Sequence, residues 1–263
     1  MRFLKLGGSL ITDKTRDNTP RPKVLQRVCA EVARGLAQAP GPLVLGHGSG
    51  SFGHTAARRY GTRGGVHDAA GWRGFAEVSV MAARLNRIVA DALHEAGVPV
   101  IVFAPSASAR CRDGVLVDLD TGPLQVALKQ GLVPLVMGDV AIDSQRGGTI
   151  VSTEEVFAHL VATLHPQRIL LAGETEGVYA DFGRPNQHIV PVITPANWEA
   201  LRSGVGGSRG ADVTGGMASK VADMLALCRA HPGLEAVIFS GLVPGTVERA
   251  LAGQTPGSTL RGG

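Results

Sequence analysis

Apolar positions along the chain alternate between short continuous runs and longer stretches of helical period. Arg2–Leu6 reads as a strand running directly into Gly7-Gly8-Ser9, then Leu10-Ile11-Thr12-Asp13-Lys14. Polar, proline-bearing Thr15–Pro22 is a loop. From Lys23 to Gln38, the residues Val24, Leu25, Val28, Val32 and Leu36 keep a helical period. Pro42–Gly46 predicts a buried strand ending in His47-Gly48-Ser49-Gly50-Ser51-Phe52-Gly53-His54. Arg58–Gly74, rich in Gly and Arg and without periodicity, reads as a mobile surface segment. Phe75–Ala96 is the longest amphipathic helix, with Met81, Leu85, Ile88, Ala92 and Leu93 on one face and Gly97 ending it.

Beyond it, Val98–Phe103 predicts a buried strand, and Arg110–Val117, with Asp113-Gly114 between apolar runs, a hairpin. Pro123 at a first helical position starts a short helix to Gln130. Leu132–Met137 is a buried strand closing on Gly138-Asp139, and Ala141–Ile150 a second hairpin around Gly147-Gly148. Ser152 and Glu155 form a capping-box pattern for a helix reaching Leu164. Arg168–Leu171 is a strand, His188–Thr194 a short strand or edge piece, and Ala236–Phe239 the last clear strand. Gly204–Gly216 is a second glycine-rich region opening a helix from about Met217 to Ala230. Strands alternating with helices, most of them continuous apolar runs, predict a mostly parallel sheet covered on both faces. In such sheets ligands bind at the carboxyl ends of strands. Gly7, Gly46, Gly138, Gly173 and Gly241 sit at those ends, so several small-residue loops are expected to converge on one sheet edge.

Composition narrows the class. The 263 residues, 44% hydrophobic and 18% charged, suit an ordinary globular chain. The net charge of +4 is scattered, with no basic run of a nucleic-acid arm. Cys29, Cys111 and Cys228 match neither a disulfide framework nor a zinc spacing, so a reducing cytoplasm is expected. No apolar run approaches the roughly 18 residues of a membrane span. Of 26 basic residues, the lysines are only Lys5, Lys14, Lys23, Lys129 and Lys220, and three of these lie in or beside glycine-rich motifs. Lysine is a compact, flexible point charge suited to a moving phosphoryl group.

No G-x-x-x-x-G-K-[ST] motif is present and the first strand lacks G-x-G-x-x-G, which disfavours a P-loop ATPase or a dinucleotide dehydrogenase. Separate glycine loops with lysines suit phosphoryl transfer, which needs positioning and charge neutralisation above covalent chemistry. Four small residues in a row, Gly48-Ser49-Gly50-Ser51, let backbone N–H groups point at one anion, and His54 adds a donor that can carry charge near neutral pH. Packing alone is the alternative for the glycines, and a helix-capping or solvent-facing role for His54. Lys5 inside an apolar strand is costly unless it emerges at a functional edge; otherwise it protects an edge strand. Gly215-Gly216 and Lys220 place small residues and a cation at a helix N-terminus, a favourable phosphate site, or an ordinary helix start with a solvated lysine. His47 is expected to orient its loop, and Asp139 to organise loops or lysines. Phe75, Val78, Met81 and Ala82 are core residues or an apolar pocket.

In order along the chain, Lys5-Leu6-Gly7-Gly8-Ser9 with Lys14, His47 to His54, Gly138-Asp139-Val140, Gly177-Val178-Tyr179 and Asp212 to Lys220 resemble the amino acid kinase superfamily. Within it they look most like the isopentenyl phosphate kinase family. The resemblance implies a three-layer αβα sandwich with an open, mostly parallel sheet. It implies one domain over residues 1–263, with an acceptor-binding part to about 165 and a nucleotide-binding part from about 166. It further implies a cytoplasmic homodimer that uses ATP and Mg²⁺ to phosphorylate isopentenyl phosphate, with no nucleic-acid or membrane partner. Carried onto this chain, Lys5, Lys14, His54 and Lys220 would be catalytic. Lys5, Leu6, Gly7, Gly8, Ser9, Ser49, Glu174, Gly216 and Lys220 would hold the nucleotide, and Gly48, Gly53, His54 and Gly138 the acceptor. No protein metal ligand is implied. Ser49 departs from the family's triple glycine, and Ala172-Gly173-Glu174-Thr175-Glu176 from its Thr-Asp-x-Asp stretch. A phosphonate kinase acting on a substrate such as fosfomycin, and a non-catalytic nucleotide-binding protein, are the competing readings.

Overall fold

The computed structural model describes residues 1–205 and 216–263, with the backbone alone for His54. In chain order its elements are β1 (Arg2–Leu6), α1 (Gly8–Ile11), α2 (Pro22–Gln38), β2 (Leu43–His47), α3 (His54–Tyr60) and α4 (Ala69–Glu95). Then come β3 (Val100–Val102), β4 (Arg110–Arg112), β5 (Val115–Asp118), α5 (Gly122–Lys129), β6 (Val133–Met137), β7 (Asp139–Asp143), β8 (Gly147–Val151) and α6 (Thr153–Leu164). The last are β9 (Arg168–Gly173), β10 (Tyr179–Ala180), β11 (His188–Ile189), β12 (Val192–Ile193), α7 (Pro195–Leu201), α8 (Gly216–Ala230), β13 (Glu235–Ser240), α9 (Thr246–Leu251) and β14 (Ser258–Arg261).

An eight-stranded sheet of order β12-β14-β13-β9-β1-β2-β6-β3 forms the middle layer. Among its pairs only β13–β14 is antiparallel. Strand period two sends successive side chains to opposite faces, and both faces are apolar. Phe3, Val44, Ile169 and Ile238 pack with Val156, Phe157 and Leu160 of α6 and Val221, Met224 and Leu225 of α8. Leu4, Leu45, Leu170 and Val237 pack with Val28 and Val32 of α2, Leu85 and Val89 of α4, and Val247 of α9. This is the expected αβα sandwich. The two expected hairpins, β4–β5 and β7–β8, join in a four-stranded sheet of order β5-β4-β7-β8.

Two expectations need correction. The run Val98–Phe103 is a short edge strand, β3, whose Ile101 and Val102 are exposed. Arg58–Gly74 is irregular only at residues 61–68: α3 runs to Tyr60, and α4 starts at Ala69 behind Asp68, whose carboxylate accepts the Gly71 N–H at 2.7 Å. Within α4 the residue at 74 is glycine because the Tyr60 ring lies where a side chain would be. Among the described residues no helix is long and apolar enough to cross a membrane.

Candidate functional site

Parallel pairing brings the carboxyl ends of β1, β2, β6, β9 and β13 to one edge of the sheet. At the end of β1, Lys5 is only 9% exposed, and its Nζ donates to Glu154 Oε1. Glu154 is the second residue of α6, where the positive end of the helix favours a carboxylate. Burial alone would raise its pKa, but the charges of Lys5 and Lys220 and the Lys5 hydrogen bond outweigh burial and hold the carboxyl below its ordinary range. Lysines from β1 and α8 thus act on one carboxylate.

Two glycine loops meet beside that cluster. Gly48 N–H donates to the Leu6 carbonyl at 3.0 Å, and Gly7 N–H to the Ala172 carbonyl at 2.8 Å. A β-carbon on Gly8 would lie 2.6 Å from Gly50 Cα, and one on Gly48 2.9 Å from Gly8 N, closer than such atoms come. The loops therefore lie backbone against backbone. Thr12 Oγ1 fastens them, donating to the Gly8 carbonyl and accepting the Ser51 N–H, both at 2.8 Å. Gly53, at φ +77°, turns the chain into α3, whose first residue is His54.

His47, 1% exposed, is held by its neighbours rather than turned to a ligand. Its Nδ1 lies 3.2 Å from the Gly48 carbonyl and its Nε2 3.0 Å from Asn86 Nδ2. A neutral ring protonated on Nδ1 satisfies both, donating to the carbonyl and accepting from the amide. The His47 carbonyl accepts Thr153 Oγ1 at 2.6 Å, tying β2 to α6. Burial, with a smaller push from the Lys5 charge, lowers the imidazole pKa from 6.5 to about 4. A base whose folded pKa is lowered stabilises the fold above its unfolded value and loses that contribution as pH falls. NMR titration is expected to place His47 near 4, with stability falling between 6.5 and about 4; a midpoint above 6 would mean the ring is solvated.

Next to the glycine loop is a cavity lined by Ser49, Phe52, Gly53, Ala57, Val78, Ala82, Gly138 and Ile150. Its side chains are almost all apolar. Asp139, buried at the mouth of β7, is held up from its ordinary pKa mainly by burial, against hydrogen bonds from Ser106 and Val140. It organises the Ser106 turn; the lysine-organising carboxylate is Glu154.

The model of the amino acid kinase family matches residues 1–240. The chain belongs to the amino acid kinase family. An isopentenyl phosphate kinase of Methanothermobacter thermautotrophicus is 34% identical over 97% of this chain and 96% of its own length. One of Haloferax volcanii is 37% identical over 98% of each chain. An X-ray structure of isopentenyl phosphate kinase is similar with a TM-score of 0.82 and 30% identity, covering 99% of both chains.

Within this family member, the residues singled out by sequence fall into groups. Lys5, Leu6 and Gly8 meet the Gly48–Gly50 loop, and Gly7 meets Ala172 at the end of β9, with Ser9 in α1. Ser49, Gly53 and Gly138 share the apolar cavity. Gly216 opens α8, which also carries Lys220, whose charge acts on Glu154. Lys14 stands exposed in the turn after α1. Glu174 pairs with Arg21 at 2.8 Å rather than with the lysine cluster. Asp212–Gly215 and the His54 side chain lie outside the described residues. Of the apolar candidates, Val78 and Ala82 line the cavity, and Met81 borders a polar cavity with Asp17, Asn18, Arg59 and Glu77. Phe75 lies edge-on to Trp72. Sequence reading missed Glu154, which stands as a first-turn acid between Ser152 and Glu155 of the capping box. The one available signal was a second glutamate beside the box that the cap does not use.

Proposed function

We propose that the chain transfers the γ-phosphate of ATP to isopentenyl phosphate, giving isopentenyl diphosphate. The observation that carries this reading is an apolar cavity beside a glycine loop, whose Gly48 lies against Lys5, the lysine that pairs with Glu154. The glycine loop and His54 would hold the acceptor phosphate, and the cavity its hydrocarbon. Lys5, Lys14 and Lys220 would follow the charge as the phosphoryl group moves, since transfer is catalysed chiefly by positioning and electrostatics. Glu154 would hold Lys5 and Lys220 aimed at the site. Gly7, Gly8, Ser9, Glu174 and Gly216 would face the nucleotide, so that residues to about 165 serve the acceptor and those from about 166 the nucleotide. Among the described residues no three His, Cys, Asp or Glu side chains gather as a ligand group. The proposal accordingly takes Mg²⁺ as an ion held mainly by phosphate oxygens and water. When bound it neutralises triphosphate charge. A cytoplasmic homodimer is part of the same reading, on the family relationship.

An ADP-release assay with Mg-ATP and isopentenyl phosphate, fosfomycin, an amino-acid carboxylate or no acceptor tests it. Turnover is expected with isopentenyl phosphate, and His54→Ala is expected to lower it by about 100-fold or more, as removal of a preorganised donor does. Turnover with fosfomycin alone would move the chain to phosphonate chemistry. ATP binding without ADP from any acceptor would make it a non-catalytic nucleotide binder.

A further inference from the structure

Successive residues at the start of α6 each grip a different part of the site. Ser152 caps the helix, Thr153 holds the His47 carbonyl and Glu154 pairs with Lys5. Glu155 has a further partner that none of these roles uses: Arg63, in the chain between α3 and α4. Arg63 Nη2 donates to Glu155 Oε1 at 3.1 Å and Nη1 to Oε2 at 3.3 Å. Nη1 also donates to the Ile150 carbonyl at 3.2 Å, and the Arg63 carbonyl accepts Thr149 Oγ1 at 3.0 Å. Ile150 is a wall of the apolar cavity. Glu155 Oε2 also accepts the Ser152 N–H at 2.6 Å, so the capping box already fixes the carboxylate that Arg63 meets.

We propose that Arg63 is a positioning residue for the acceptor. It clamps the chain leaving α3, the helix that begins with His54, to the cavity wall and to the helical turn that carries Glu154. The inference rests on the kinase reading above and adds a residue to it. The pair is half exposed, 50% for the Arg63 side chain and 32% for Glu155, so it adds little to stability. Its geometry does more: a planar fork reaches two carboxylate oxygens and a carbonyl together, and a lysine cannot reproduce that. A shift of about an ångström in a bound reactant is enough to cost on the order of 100-fold.

The test compares wild type with Arg63→Ala, Arg63→Lys, Glu155→Gln and the double variant Arg63→Ala/Glu155→Gln, using ATP and isopentenyl phosphate. Arg63→Ala is expected to lower kcat/KM for isopentenyl phosphate by about 10- to 100-fold through the acceptor KM. The ATP KM and the melting temperature should barely move. Arg63→Lys should recover little, and the double variant should be no worse than Arg63→Ala, because the two side chains act as a unit. An unchanged acceptor KM in Arg63→Ala overturns the proposal, as do matched rises in both KM values with a lowered melting temperature. Wild type inert toward isopentenyl phosphate overturns the kinase reading and this proposal with it. Active wild type with indifferent Arg63 variants overturns the proposal alone.

Discussion

Lys5→Met is expected to cut turnover with isopentenyl phosphate by about 100- to 1,000-fold, the loss that follows removal of one preorganised charge-stabilising group. The same change strands Glu154, whose partly buried carboxylate accepts a hydrogen bond from Lys5. Breaking such a pair costs about 1–3 kcal/mol when one partner is left behind. The lower part of that range applies, since Glu154 keeps the Lys220 charge and its side chain is 22% exposed. A second substitution separates the two effects. Lys5→Met/Glu154→Gln removes the stranded charge, so denaturant midpoints should return most of the way to wild type while turnover stays low. If turnover returns with stability, Lys5 is a strut and not a phosphate-handling group. The acid limb of stability follows the same pair. The folded Glu154 pKa is lowered, so the pair stabilises above the ordinary glutamate value and is lost as pH falls through the folded one. Unfolding midpoints should therefore drop more steeply in acid for wild type than for the double variant.

Much of this architecture is legible locally because short apolar runs flanked by glycine specify buried parallel strands with ligand loops at their ends. Val44-Leu45-Gly46 and Ile169-Leu170-Leu171 are apolar at every position because the sheet is covered on both faces, as the two packed clusters show. The same rule misplaces Val98–Phe103, because a run of apolar residues does not say whether a strand is central or at an edge. The α3–α4 junction was obscured by its own packing: Gly74 weakens a helical pattern in sequence, yet in the fold it is the space that Tyr60 occupies. Glu154 was hidden for another reason. Its partner Lys5 is remote in the chain, on a different element, and only the parallel pairing of β1 and β2 with Thr153 fastened to His47 brings the start of α6 to Lys5. Local propensity carries no trace of such a pairing. The glycine loops were read as cradles for phosphate, which left out their need to touch each other.

That mutual contact makes Gly50→Ala the substitution expected to damage the fold most. Gly50 sits at φ +55°, a left-handed conformation that costs an alanine about 1–2 kcal/mol. An added β-carbon would also lie 2.6 Å from the Gly8 carbonyl oxygen and run into Thr12 Oγ1. Thr12 cannot yield without releasing both its bond to Gly8 and its acceptance of the Ser51 N–H, leaving buried groups unpaired. Together these suggest a loss of about 3–4 kcal/mol, or a melting temperature lower by roughly 6–16 °C at about 2–4 °C per kcal/mol. Gly173→Ala is the matched control. It lies at the end of β9 on the same sheet edge, has no positive φ, and a β-carbon there meets nothing within 4 Å among the described residues. Its melting temperature should stay within about a degree of wild type, as for a change that meets no special feature. If nucleotide sits over the end of β9, ATP affinity should nonetheless fall in Gly173→Ala, because the added methyl points into space that is open among the described residues. Unchanged ATP affinity in a fully stable Gly173→Ala would move the nucleotide away from that strand end. A Gly50→Ala protein as stable as wild type would mean that the two loops need not touch.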